Sequence, residues 1–241
     1  MKTFPHGYAL IINNEQFKEH SLRKGTAVDE RNLTHAFRYL GYSVEVYHDL
    51  KSTEMLEVMK EMGKRSHDDY DSFVCCILSH GTAGQVCGTD SIMVSLDSLS
   101  KLVDAHNCKS LGAKPKLFFL QACRGKMKEE LVNIKADSDE PTKIVTEAGI
   151  RVATDSDHKI PASADFCFGY ATPLGKVAWR DEIHGSWYVA ELCRGLIEHY
   201  TDTSLIDIMT HVHGRVGKEY ENMGYKMAPE TTSRLTANVF F

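Results

Sequence analysis

The chain has 241 residues with a formal net charge of −5; hydrophobic residues make up 42% and charged residues 25%. That balance fits one or two globular domains and argues against a bulk electrostatic hold on nucleic acid or anionic lipid. Seven cysteines, an odd number without metal-ligand spacing, suit a reducing compartment with free thiols, and no apolar run approaches the length of a membrane span, so a soluble cytoplasmic protein is expected.

In chain order, the apolar run Tyr8 to Ile12, closed by Asn13-Asn14, reads as a buried strand. Val28, Leu33, Ala36, Phe37 and Leu40 fall at helical spacing and Gly41 stops the helix. Tyr42 to Tyr47 alternates as a second strand, and a helix capped near Ser52 runs through Leu56, Met59 and Met62 to Gly63. Phe73 to Leu78 is apolar throughout and reads as a strand buried on both faces, Leu96 to Val103 reads as a helix, and Lys116 to Leu120 as a fourth strand. Lys126 to Lys159 is rich in charge and shows no sustained period, as expected of a loose connector. Order resumes with a strand from Phe166 to Ala171, helices over Ser186 to Tyr200 and Ser204 to Tyr220, and a final strand expected over Leu235 to Phe241. Alternating strands and helices predict a mainly parallel sheet covered by helices, with its chemistry where the strands' carboxyl ends meet the loops.

Two motifs stand at those ends. Ser79-His80-Gly81 follows the third strand and Gln121-Ala122-Cys123-Arg124-Gly125 follows the fourth. A thiol is mostly protonated at neutral pH, and a neighbouring imidazole lets it lose its proton and then returns that proton to a leaving amine. The backbone N–H groups of Gly81 and Cys123 are the expected oxyanion donors. Any of the twelve histidines taken alone reads as structural or exposed. Cys75 and Cys76 read as strand core, Cys87, Cys108, Cys167 and Cys193 as buried thiols, and the cluster Asp68-Asp69-Asp71 as a solvated loop.

Gln-Ala-Cys-Arg-Gly after an apolar strand, with a histidine 43 residues upstream of the cysteine, resembles the caspase signature. Further segments similar to that family span most of the chain: Leu10-Ile11-Ile12-Asn13-Asn14, Arg23-Lys24-Gly25-Thr26, Ile160-Pro161 with Ala164-Asp165-Phe166, Trp179-Arg180, Gly185-Ser186-Trp187 and Thr232-Ser233-Arg234-Leu235. The resemblance implies a three-layer α/β sandwich around a six-stranded, mostly parallel sheet. It implies covalent catalysis by Cys123 with His80, cutting after aspartate, a role in apoptosis and no metal or organic cofactor. Arg23, Arg180 and the amide of Gln121 would bind the substrate aspartate, since a carboxylate in a narrow pocket calls for guanidinium forks. The carbonyl of Ser21 would support His80. Val177, Trp179 and Trp187 would wall the groove, and Asp181, where relatives that prefer aspartate four residues before the cut often carry Asn, would turn that preference toward Val or Ile.

The resemblance also implies a large block, residues 1–137, a linker, residues 138–155, and a small block, residues 156–241. Ile134-Lys135-Ala136-Asp137 and Val152-Ala153-Thr154-Asp155, each followed by serine, read as processing sites for the enzyme itself or an upstream relative. Pairing of Leu235 to Phe241 across a two-fold axis would give a homodimer. Two rival readings are weaker. A silent relative acting as a scaffold would lack the thiol, the histidine or the arginines, and a nucleotide-binding protein would carry a glycine-rich loop where Asn13-Asn14-Glu15-Gln16 stands. Effector and initiator roles stay open: no long recruitment segment precedes Met1, whereas Val177 and the stretch near Met227-Ala228-Pro229 look more like an initiator.

Overall fold

The computed structural model describes residues 1–128, 161–219 and 227–241. Strands β1 (Gly7–Asn13), β2 (Ser43–His48) and β3 (Ser72–Leu78) alternate with helices α1 (Thr26–Tyr39) and α2 (Ser52–Lys64). A small antiparallel sheet of β4 (Gly81–Thr82), β5 (Gln85–Cys87) and β6 (Met93–Ser95) then leads into α3 (Leu96–Lys101). After these come β7 (Lys116–Gln121), β8 (Gly125–Met127), β9 (Phe166–Tyr170), β10 (Gly175–Lys176), β11 (Arg180–Asp181), β12 (Gly185–Ser186), α4 (Trp187–His199), α5 (Leu205–Glu219) and β13 (Glu230–Ser233).

The main sheet has the order β13-β9-β7-β3-β1-β2, parallel throughout except for the antiparallel edge strand β13. Period-two alternation splits its side chains between two cores. Ala9, Ile11, Val74, Cys76, Leu117 and Phe119 face Leu33 and Phe37 of α1 and Leu192, Leu196, Ile208 and Val212 of α4 and α5. Leu10, Ile12, Cys75, Ile77, Phe118 and Leu120 face Met55, Met59 and Met62 of α2 and Leu99 of α3. This is the predicted three-layer sandwich. Side chains such as Phe37, Phe73 and Phe118 are fully buried, each contributing about 1.5–3 kcal/mol of transfer free energy.

The chain's end departs from expectation. Leu235 to Phe241 forms no strand; β13 is the preceding, largely polar segment Glu230–Ser233, paired from Glu230↔Tyr170 to Ser233↔Cys167. Asp165 accepts hydrogen bonds from the Thr236 backbone N–H (3.1 Å) and Oγ1 (2.6 Å), which bends the chain off the sheet edge. Val239 is then buried in the α4–α5 core, its carbonyl accepting from the Leu205 N–H at 2.8 Å. The apolar residues that suggested a strand are therefore packing residues of a return segment. Among the described residues no helix is long and apolar enough to cross a membrane.

Candidate active site

Strands β3 and β7 are neighbours, and their last paired rung is Leu78↔Gln121. His80 and Cys123 each lie two residues beyond that rung, at the carboxyl end of the parallel strands, so the sheet register itself brings imidazole and thiol to one rim. Both line a cavity of about 180 Å³ together with Arg23, Gln121, Trp179 and Arg180. Of the seven cysteines, only Cys123 is not buried. Burial pushes five of the other thiols the wrong way for reactivity: Cys167 up to about 12, and Cys75, Cys76, Cys87 and Cys193 upward as well.

His80 is oriented by one bond. Its Nε2 lies 2.8 Å from the Ser21 carbonyl oxygen, which can only accept, so Nε2 carries the proton and Nδ1 is left as the acceptor. Burial is the first cause that lowers the His80 pKa, with the Ser21 bond opposing it and the positive charge of Arg23 adding to it. Gly81 cannot be larger: a Cβ there would sit 2.7 Å from the Gln85 carbonyl oxygen and 3.0 Å from that of Cys123. Gly125 likewise admits close passage of the chain's own backbone, since its Cβ would fall 2.1 Å from the Gly175 carbonyl. Through that contact β8 and β10 lock the loop after Cys123 to the loop that carries Trp179 and Arg180, with Arg124 N–H donating to the Lys176 oxygen at 2.9 Å.

The cationic socket is built from two loops. Arg23 is only 1% exposed; its Nη1 donates to the Asn14 carbonyl (2.8 Å) and Thr26 Oγ1 (3.0 Å), while Nη2 is buried and has no hydrogen-bond partner among the described residues. Burial, and then the nearby Arg180, depress its pKa to about 9. Arg180, on β11, donates from Nε to the Lys24 carbonyl at 2.7 Å and is also depressed, by burial first. Gln121 Nε2 makes only a 3.4 Å bond to the Trp179 carbonyl oxygen. Buried Asp29 accepts from the Ser186 N–H at 2.7 Å and lies near enough to favour both arginines' charged forms. Its own carboxyl is shifted upward, by burial first, with the Ser186 bonds and the two arginines opposing that shift.

The remaining predicted residues lie outside the cavity lining. Val177 is half-buried and its N–H donates to the Met127 carbonyl at 2.9 Å. Asp181 is turned onto its own loop, where Oδ1 accepts from the N–H groups of His184 (2.7 Å) and Ile183 (2.8 Å) and lies 2.9 Å from His184 Nδ1. Those bonds, the His184 N–H first, hold its carboxyl below the usual range, and its side chain is 43% exposed. Trp187 is 6% exposed and stacks behind Trp179 with ring centroids 6.4 Å apart, so it backs the groove's aromatic residue from within the core. Asp137 and Asp155 lie outside the described residues. Sequence reasoning missed Phe17 and His20, whose rings contact His80, and Asp29 and Ala178, whose N–H lies 3.5 Å from Cys123 Sγ. Asp29 reads as an ordinary first-turn helix residue, and no periodicity marks the other three.

Comparison with known proteins gives one answer. The family model for the caspase domain matches residues 6–240. Caspase-3 of Bos taurus is 36% identical over 245 residues, covering 98% of this chain and 84% of the relative. Caspase-7 of Gallus gallus is 36% identical over 246 residues (98% and 77%), and caspase-8 of Mus musculus 34% over 256 residues (100% and 52%).

Proposed function

The chain belongs to the caspase family and is an aspartate-specific cysteine endopeptidase, and from that premise we propose the residues that carry the reaction and what surrounds it. Cys123 passes its proton to His80 Nδ1 and attacks the backbone carbonyl carbon of a substrate aspartate. The tetrahedral oxyanion takes the N–H groups of Gly81 and Cys123; its collapse breaks the C–N bond, and His80 gives its proton to the departing amine. Water, with His80 as base, then hydrolyses the thioester and frees the new carboxyl end. The substrate aspartate sits between Arg23 and Arg180, with a further donor from Gln121.

The observation that carries this assignment is the Nη2 of a buried guanidinium, unpartnered among the described residues, beside a second arginine whose pKa burial lowers, in the same cavity as the thiol and the imidazole. Two like charges held together in a partly dry site favour an anion that neutralises them. A matched peptide pair tests it, differing only in Asp or the isosteric Asn before the scissile bond. Preference for Asp by about 10³-fold or more in kcat/KM is expected, as for a site whose buried polar groups are left unpaired by the wrong substrate. Equal rates, or a preference for Lys or Arg, would overturn the assignment.

Four finer readings belong with it. The ionised Asp181 beside the groove disfavours aspartate four residues before the cut and leaves room for Val or Ile. Cuts after Asp137 and Asp155, by the enzyme itself or an upstream relative, separate residues 1–137 from 156–241, and mass spectrometry of active enzyme is expected to find both termini. Edge strand β13, with Thr232 and Ser233 exposed, adds to its copy across a two-fold axis to form a homodimer; Thr232→Pro is expected to leave a monomer in sedimentation. The setting is cytoplasmic and the role apoptotic, the first supported by seven free thiols.

A further inference from the structure

The loop between β1 and α1 reaches the rim of the site with two rings. Phe17 meets the His80 ring edge-on at 4.7 Å between centroids, and the exposed imidazole of His20 lies 5.3 Å from that of His80, tilted by 50°. Phe17 and His20 also contact each other at 6.1 Å, so the three rings form a closed triangle. This loop is fixed at both ends of the contact. Lys18 N–H donates to the Thr89 carbonyl and Glu19 N–H to Ser91 Oγ, each at 2.9 Å, and Ser21, next to His20, supplies the carbonyl that orients His80.

We infer that His20 is a positioning residue for His80: its imidazole braces the catalytic ring against Phe17 and, once positively charged, opposes a second positive charge beside it. The inference rests on the assignment of His80 to the reaction. The groups that face His80 are the guanidinium groups of Arg23 and Arg180, the His20 ring, and the thiol of Cys123 on the same cavity wall. Of these neighbours His20 is the one next to Ser21, whose carbonyl orients His80, and its imidazole adds to the positive charge that the arginines set against the ring. A positive charge at this position disfavours proton uptake by the His80–Cys123 unit whichever atom takes the proton, so the acidic limb of kcat/KM lies lower than it would with a neutral residue there.

The test is the pH profile of kcat/KM on an Asp-containing tetrapeptide for the unaltered enzyme, His20→Gln and His20→Lys. Two charges roughly 5 Å apart in a largely aqueous dielectric change an apparent pKa by about half a unit. His20→Gln is therefore expected to move the acidic limb upward by a few tenths of a pH unit, and His20→Lys to move it downward by a similar amount. A limb unmoved in both variants, or moved the same way in both, overturns the inference. His80→Ala, run alongside, separates the two claims: if it retains full activity the assignment of His80 itself fails, whereas an inactive His80→Ala with unmoved limbs removes only the role of His20.

Discussion

The two halves of the site are held in different ways. Cys123, His80 and Gln121 stand at or just beyond the ends of β3 and β7, where both faces of the sheet are packed, and Arg23 is buried against Asn14 at the end of β1. Trp179, Arg180 and Asp181 belong to a loop secured by two-residue strands and by its own turn. Bond making and the Arg23 side of the aspartate socket thus rest on sheet register and core burial, which a point change cannot shift without moving the core, while the Arg180 side and the outer subsites rest on a surface loop that tolerates change. Substitutions on the two sides should differ in kind as well as in size.

The largest effect is expected from Cys123→Ala, which should lower kcat/KM by about 10⁴-fold or more while circular dichroism stays native, since nucleophile and base act as a unit. Next come the arginines. Arg23→Met and Arg180→Met should each lower cleavage after aspartate by about 10²–10³-fold, as for a charged hydrogen bond lost from a desolvated site. They should part in stability: Arg23→Met strands the Asn14 carbonyl and lowers Tm by several degrees, whereas Arg180→Met on the loop leaves Tm nearly unchanged. Equal Tm values would remove the distinction between the halves. Asp181→Asn is expected to raise the relative rate on peptides with aspartate four residues before the cut by about tenfold, without changing the need for aspartate at the cut itself.

The smallest expected effect concerns pH. Burial lowers the pKa of His67, His80 and His213 in the folded chain. Between those lowered values and the ordinary histidine value near 6.5 the unfolded chain binds more protons, so the contribution is fully present above that window, is lost as pH falls through it, and changes no further below it. His67 sits in the core with Nε2 3.0 Å from the Met62 carbonyl oxygen, away from the cavity. Melting curves of His67→Gln between pH 6.5 and 5 should therefore be flatter than those of the unaltered chain, while the pH dependence of activity keeps its shape.

The same division explains what could be read from the chain alone. The inner strands are apolar because both faces are buried, so Phe73 to Leu78 and Lys116 to Leu120 are legible, and the residues just after them follow from the register. The edge strand Glu230–Ser233 is polar because one side meets solvent, so it carries no apolar signal, and the apolar return segment after it is mistaken for the strand. Phe17 and His20 belong to a loop without period, and only the folded chain brings them to His80. Trp187 looks like a surface aromatic in its motif, yet its place at the start of α4 sends it into the core behind Trp179.

The central claim is that one thiol, facing a socket that accepts an acidic side chain, does the chemistry. Covalent labelling tests it most directly. A peptidyl ketone inactivator ending in aspartate, and its asparagine twin, are each incubated with the enzyme, and the adduct is mapped by peptide mass spectrometry. The expected result is one adduct per chain, on Cys123, formed far faster with the aspartate reagent. An adduct on any of the other six cysteines, or equal rates with the two reagents, would contradict the account.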